Sequence, residues 1–252
     1  MIGIIGFGRF GKLTSAYLAA DFDVRIYDRT DAAAAIRRTG ALSASLPAVC
    51  RQPVVILCVP ICALRDVLRQ IAPLLTKDSL IIDVCSVKEY PVKWMKALLP
   101  DNVSILATHP MFGPDSASNS LQGRKIFLSP VRMTEKPYRK IKAFLTARGL
   151  VIIEGSAREH DKQIAVSLAL THFIGRTLSE FGAANLDIDT EGYKRLLQIL
   201  EVVENDTWQL FVDMHRYNPY AREKRRAFLD IAKKINDQLQ PISKEIYSNG
   251  KK

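Results

Sequence analysis

Three glycines, Gly6, Gly8 and Gly11, lie between an apolar tetrapeptide and a helical pattern, and this spacing constrains the fold more than any other feature. Ile2–Ile5 reads as a buried strand, and the stretch from the glycines to about Ala20 as a helix. In such a G-x-G-x-x-G turn the first glycine permits a sharp reversal. The second lets backbone approach a pyrophosphate, and the third lets the helix pack closely on the strand. Free N–H groups at the helix start then favour negative charge. Asp28 closes the next apolar run, Val24–Tyr27, about twenty residues on, where an acidic side chain meets ribose hydroxyls. The expected dinucleotide-binding set is Gly6, Phe7, Gly8, Arg9, Phe10 and Gly11, with Asp28, Arg29, Val59 and Pro60. Asp28 favours NAD by repelling a 2′-phosphate, whereas Arg29 beside it offers NADP a partner.

The rest of the first half repeats the strand–helix alternation. Pro53–Val59, Leu80–Val84 and Ser104–Ala107 read as strands separated by helix-length stretches, and Ile126–Leu128 and Leu150–Ile153 flank a helix over Tyr138–Arg148. This predicts an α/β fold, a Rossmann-type doubly wound parallel sheet. Near Gly155 the pattern changes. Ser156 and Glu159 form a capping-box signature before a long helix to about Phe181, with Ile164, Leu168, Ile174, Leu178 and Phe181 at near-helical spacing. Only helices are expected beyond it. The expected division is a dinucleotide-binding domain over 1–154 and a helical substrate and dimerisation domain over 155–252.

Several classes of function are disfavoured. No apolar run approaches the roughly 18–20 residues that cross a bilayer, and no signal-peptide pattern precedes the first strand. The four cysteines Cys50, Cys58, Cys62 and Cys85 lack zinc spacing and read as reduced structural thiols, which suits a cytoplasmic protein. The net charge of +10 is concentrated in the first half, with 21 Lys and Arg against 12 Asp and Glu through Glu154. No basic run or zinc-finger spacing accompanies it, so an anionic small molecule is the expected partner rather than nucleic acid.

The second informative stretch is Thr108-His109-Pro110-Met111-Phe112-Gly113-Pro114, placed just beyond a predicted strand, where open α/β sheets bind ligands. A histidine there can accept a proton near neutral pH. Ser86 follows the preceding strand and reaches the same sheet edge, from which it could orient His109. His160-Asp161 reads as a helix-start pair with a structural role, and no metal site is expected.

These stretches, with Asp83-Val84-Cys85-Ser86-Val87-Lys88, Glu159-His160-Asp161 and Thr171-His172-Phe173-Ile174-Gly175-Arg176, resemble the prephenate/arogenate dehydrogenases of tyrosine biosynthesis. The Thr171–Glu180 segment and Tyr217-Asn218-Pro219-Tyr220-Ala221-Arg222 look most like the plant-type arogenate branch. The resemblance implies NAD(P)-dependent oxidative decarboxylation of a cyclohexadienol. His109 would take the hydroxyl proton, Ser86 would hold His109 and the hydroxyl in line, and His172 would complete the substrate pocket. It also implies a homodimer formed through the helical half.

Two departures from the family pattern bear on substrate choice. Ala169 stands where many bacterial relatives have a further histidine, and Gln198 stands where they carry the arginine that grips the substrate's side-chain carboxylate. Losing that charge disfavours the anionic side chain of prephenate relative to the zwitterionic one of arogenate. Arg176 and Arg222 are the candidates to replace it, alongside Arg195. Plant-type relatives generally use NADP and have serine at the place of Asp28. On the residues alone, a β-hydroxy acid dehydrogenase-like enzyme and a non-catalytic dinucleotide-sensing module stay open.

Overall fold

A computed structural model describes residues 1–239. Eight strands form one sheet: β1 (Ile2–Ile5), β2 (Val24–Tyr27), β3 (Leu42–Ser43), β4 (Val54–Leu57), β5 (Leu80–Asp83), β6 (Ser104–Pro110), β7 (Lys125–Arg132) and β8 (Val151–Glu154). Their spatial order is β3-β2-β1-β4-β5-β6-β7-β8. Helices α1 (Arg9–Leu18), α2 (Ala33–Arg38), α3 (Leu46–Cys50), α4 (Ile61–Ile71), α5 (Glu89–Leu98), α6 (Pro114–Ala117) and α7 (Glu135–Ala147) connect them. The chain winds outward from β1 to β3 and then crosses back to β4 beside β1. The glycine turn after β1 therefore lies at the topological switch point, where such sheets bind ligands at their carboxyl edge.

The predicted strands are all present, but the short edge strand β3 is added to them and one pairing is not parallel. All pairings are parallel except β6 with β7, which run antiparallel with His109 opposite Phe127 and Pro110 opposite Ile126. That pairing extends β6 past the predicted end at Ala107, so His109 lies within the strand rather than beyond it. Alternation along β6 then sorts its side chains. Ile105 and Ala107 join the core beneath α3, α4 and α5, while Leu106 joins the opposite core beneath α7. His109 has the parity of Ile105 and Ala107.

Beyond the sheet follow α8 (Ala157–Ile164), a π-helical segment (Ala165–Leu170), α9 (Thr171–Phe181), α10 (Glu191–Glu204), α11 (Trp208–Arg216) and α12 (Ala221–Gln238). The capping box forms: the Ser156 hydroxyl accepts from Glu159 N–H at 3.2 Å, and the Glu159 carboxylate accepts from Ser156 N–H at 2.9 Å. The single long helix expected here is instead interrupted by the π segment. Its predicted inward stripe holds at Ile164 but ends early, for Phe181 is 83% exposed beside the left-handed Gly182 that stops α9.

Two buried aspartates tie these helices to the sheet. Neither α4, which starts after Pro60, nor α5, which starts after Lys88, has a local side-chain cap. Asp213 of α11 accepts from Cys62 N–H at 2.9 Å, and Asp161 of α8 accepts from Lys88 N–H at 2.7 Å and Glu89 N–H at 2.8 Å. Each carboxylate thus satisfies the orphan donors of a helix distant in sequence and meets the positive end of its dipole. Met214, next to Asp213, is buried in the core beneath α4 and α5.

Candidate active site

The glycine turn divides its work as the motif requires. Gly6 has φ of +101°, and a Cβ added there would lie 2.2 Å from the Cys58 carbonyl oxygen. A Cβ on Gly11 would lie 2.2 Å from the Gly6 carbonyl oxygen, so both positions exclude side chains to let the chain pack on itself. A Cβ on Gly8 would meet nothing within 4 Å. Its missing side chain leaves open space in front of α1, whose first turn has no side-chain cap. Open backbone, free N–H groups and space at a switch point fit a dinucleotide pyrophosphate.

Asp28 is drawn onto this loop. Its carboxylate accepts from Phe7 N–H at 2.6 Å and from the N–H and hydroxyl of Thr30 at 2.9 and 2.7 Å. Burial pushes its pKa up, but the hydrogen bonds from Thr30 and Phe7, with Arg29 nearby, outweigh it and hold the group below the usual carboxylate value. Arg29 is exposed. Val59 packs against the turn, with its Cγ1 3.2 Å from a Cβ placed on Gly6, and Pro60 precedes α4. Arg9 leaves the turn and grips Asp115 of α6 with two bonds, at 2.7 and 2.8 Å. The rings of Phe10 and Phe112 are 6.3 Å apart. The glycine turn and the loop after His109 therefore meet at one edge of the sheet.

His109 is 6% exposed. Its Nδ1 lies 2.9 Å from His160 Nε2, and His160 Nδ1 lies 2.8 Å from Asp161 Oδ1. Ser86, the expected orienting group, makes no such bond: its hydroxyl is buried without a partner among the described residues. Lys88, fully buried, donates from Nζ to Asp83 and to the Thr108 carbonyl next to His109. Thr108 in turn donates from its hydroxyl to the Asp83 carbonyl at 2.6 Å. His160 is the functional candidate that sequence reasoning set aside as structural. A signal was present, for His160, Ile164 and Leu168 are spaced four apart, so the apolar stripe continued back one turn lands on it.

Of the helical candidates, His172 on α9 is buried with Nδ1 unpartnered among the described residues, and its Nε2 lies 3.8 Å from Asp206. Arg176, one turn on, donates to the Asp206 carbonyl while its Nε is buried without a partner among the described residues. Gln198 on α10 and Arg222 on α12 are exposed, and no hydrogen bond joins either to His109 among the described residues. An apolar cavity of about 490 Å³, lined by Leu13, Tyr17, Ile82, Leu106 and Ile141 among others, lies on the α1–α7 face. By strand parity that is the face opposite His109.

All four histidines are held below their ordinary value. Burial lowers His109 and His172, and burial with a nearby cation lowers His160 to about 3 and His215 to about 4. Unfolded, each takes a proton near pH 6.5, so below that pH the unfolded chain binds more protons and stability falls as pH drops. Asp161, raised to about 6 by burial, and Asp206, also raised, act in the opposite sense but are fewer. The urea midpoint is expected to be lower at about pH 5 than at about pH 7. An equal or higher midpoint at the lower pH would contradict this protonation pattern.

A glycine turn at the switch point of a doubly wound sheet, with a buried imidazole at the same edge, places the chain in the Rossmann dinucleotide-binding class. Residues 22–154 match the family described as prephenate dehydrogenase, nucleotide-binding domain, and residues 177–249 match one described as TYRAAT1-like, C-terminal domain. Arogenate dehydrogenase 2, chloroplastic, of Arabidopsis thaliana is 33% identical over 98% of this chain and 70% of its own length. Arogenate dehydrogenase 1, chloroplastic, of the same plant is 32% identical over 94% of this chain, which spans 39% of that relative. The fold is shared with the crystal structure of prephenate dehydrogenase from A. aeolicus in complex with hydroxyphenyl propionate and NAD+. The TM-score is 0.73 at 19% identity, over 93% of this chain and 90% of the other. The chain belongs to the prephenate dehydrogenase family.

Proposed function

We propose that the protein oxidises the carbinol carbon of a cyclohexadienol, arogenate in preference to prephenate, with loss of the ring carboxylate as CO2. The observation that carries this reading is the buried His109 imidazole on the edge that also holds the glycine turn. A bound nicotinamide supplies the hydride acceptor. His109 Nε2 takes the hydroxyl proton, its other ring nitrogen being engaged by His160. Ser86, whose buried hydroxyl has no partner among the described residues, holds the substrate hydroxyl in line. The bond to the ring carboxylate then breaks, its electron pair enters the ring, and the aromaticity gained makes the step effectively irreversible. The product is tyrosine from arogenate or 4-hydroxyphenylpyruvate from prephenate.

Three features support arogenate. Arg176 and His172, one helical turn apart, each hold a buried nitrogen with no partner among the described residues, as a carboxylate would require. Asp206 beside them carries the opposite charge, which suits an ammonium. A zwitterionic alanyl side chain satisfies both, whereas a pyruvyl side chain satisfies only the first. Similarity to the two plant arogenate dehydrogenases points the same way. The reading relies on Arg176 rather than on the exposed Gln198 or Arg222.

NAD is the preferred cofactor, because the Asp28 carboxylate is fixed as an anion where NADP would bring its 2′-phosphate. Four free cysteines suit a reducing compartment such as the cytoplasm, although the plant relatives carry chloroplastic names. No helix among the described residues is long and apolar enough to cross a membrane. Phe228, Ile231 and Ile235 lie on one face of α12 and are exposed, and this apolar face supports a homodimer. Steady-state kinetics across arogenate and prephenate with NAD+ and NADP+ is the test. Arogenate with NAD+ is expected to give the highest kcat/KM, and no turnover in all four combinations would remove the reading.

A further inference from the structure

We propose that His160 and Asp161 are positioning residues that lock His109 in the one tautomer whose Nε2 is free to take a proton. The proposal rests on His109 being the base of the dehydrogenation set out above. It follows from counting donors along a buried chain of contacts. Asp161 Oδ1 accepts from Lys88 N–H at 2.7 Å, and Oδ2 accepts from Glu89 N–H at 2.8 Å. Backbone N–H groups only donate, so this carboxylate presents lone pairs. The His160 nitrogen facing it at 2.8 Å, Nδ1, must therefore carry the hydrogen.

A neutral imidazole has one N–H, which leaves His160 Nε2 as a bare acceptor. That atom lies 2.9 Å from His109 Nδ1, so His109 carries its hydrogen there and keeps Nε2 bare. The other tautomer of His109 would set two lone pairs against each other inside the protein. When the substrate hydroxyl is oxidised, its proton goes to His109 Nε2 and the C–H electron pair leaves as hydride to the nicotinamide. His109 becomes an imidazolium and keeps its Nδ1–H bond to His160.

The pair is braced from several elements. The Phe127 ring of β7 lies 4.5 Å from the His160 ring, and Asn218 donates to the Asp161 carbonyl at 2.8 Å. Tyr220 donates to Glu89 at 2.7 Å, steadying the helix end that Asp161 caps. Lys88, the cation that helps to keep His160 neutral, is itself paired with Asp83. Capping α5 is a structural task for Asp161 alone, and it does not explain a buried histidine bonded to His109.

The test is 15N NMR of the full-length chain with labelled histidine. Four histidines make assignment by single substitution practicable. The wild type is expected to show His109 protonated at Nδ1 and bare at Nε2. His160→Leu removes the acceptor, so His109 should redistribute toward the Nε2–H form. kcat should fall by about 10- to 100-fold, part of the 10²–10⁴ a general base contributes, while dinucleotide affinity is unchanged. His160→Gln, whose amide oxygen can accept, should restore the Nδ1–H form and most of kcat. Finding wild-type His109 protonated at Nε2, or an unchanged tautomer in His160→Leu, overturns the proposal. If His160→Leu does not fold, the wild-type and His160→Gln spectra decide. Wild-type turnover failing with every substrate and cofactor would instead overturn the dehydrogenase reading and leave the tautomer measurement standing.

Discussion

His109→Asn is expected to lower kcat by about 10²–10⁴ while dinucleotide binding is retained, because the substitution removes a proton acceptor and leaves the glycine turn intact. The asparagine amide can still meet His160, so the local packing survives better than with alanine. It has no group that takes a proton near neutral pH. The loss should therefore appear in kcat rather than in the dissociation constant of the dinucleotide, which fluorescence titration measures directly. Turnover close to that of the wild type would exclude His109 as the base.

The largest stability effect is expected at Lys88. Its ammonium is wholly buried, donating to the equally buried Asp83 and to the Thr108 carbonyl. Lys88→Met leaves the Asp83 carboxylate without its counter-charge in a dry site, which costs about 3–5 kcal/mol. Against a typical stability of about 5–15 kcal/mol, that loss would leave a marginal protein. Urea unfolding measures it. Combining Lys88→Met with Asp83→Asn should recover part of the loss, since the stranded charge is then gone. A single variant as stable as the wild type would mean that the pair is not buried as described. The same loss should disturb β6, because the Thr108 carbonyl that Lys88 holds adjoins His109.

Local chemistry made much of the fold legible. Ile2–Ile5 is apolar, Val24–Tyr27 alternates around the exposed Arg25, each runs into turn residues, and both form strands at those limits. The Ser156–Glu159 capping box depends on residues three apart and forms as predicted. What escaped depended on distant partners. β6 runs on through His109 only because Phe127 and Ile126 pair antiparallel with it, and nothing near His109 in sequence announces that. Ser86 does stand after β5 at the expected edge, but strand order alone cannot say where a hydroxyl points. His160 with Asp161 reads from sequence as a structural helix-start pair, because no further cluster of ligands accompanies it. Its burial comes from β6 and β7 packing against the first turns of α8.

The π-helical segment also bears on the angular phase of the histidines. His172 follows His160 by twelve residues, and on an unbroken α-helix twelve residues leave two side chains about 120° apart around the axis. A π bulge absorbs one extra residue within its wider turn, so the phase advances as if for eleven, which is within about 20° of three full turns. Both histidines, 3% and 2% exposed, can then face inward from one rod. The count of residues from Ala165 to Leu170 therefore sets the angular phase between the two histidines. It acts as a vernier that lets two side chains from successive helices share a bearing.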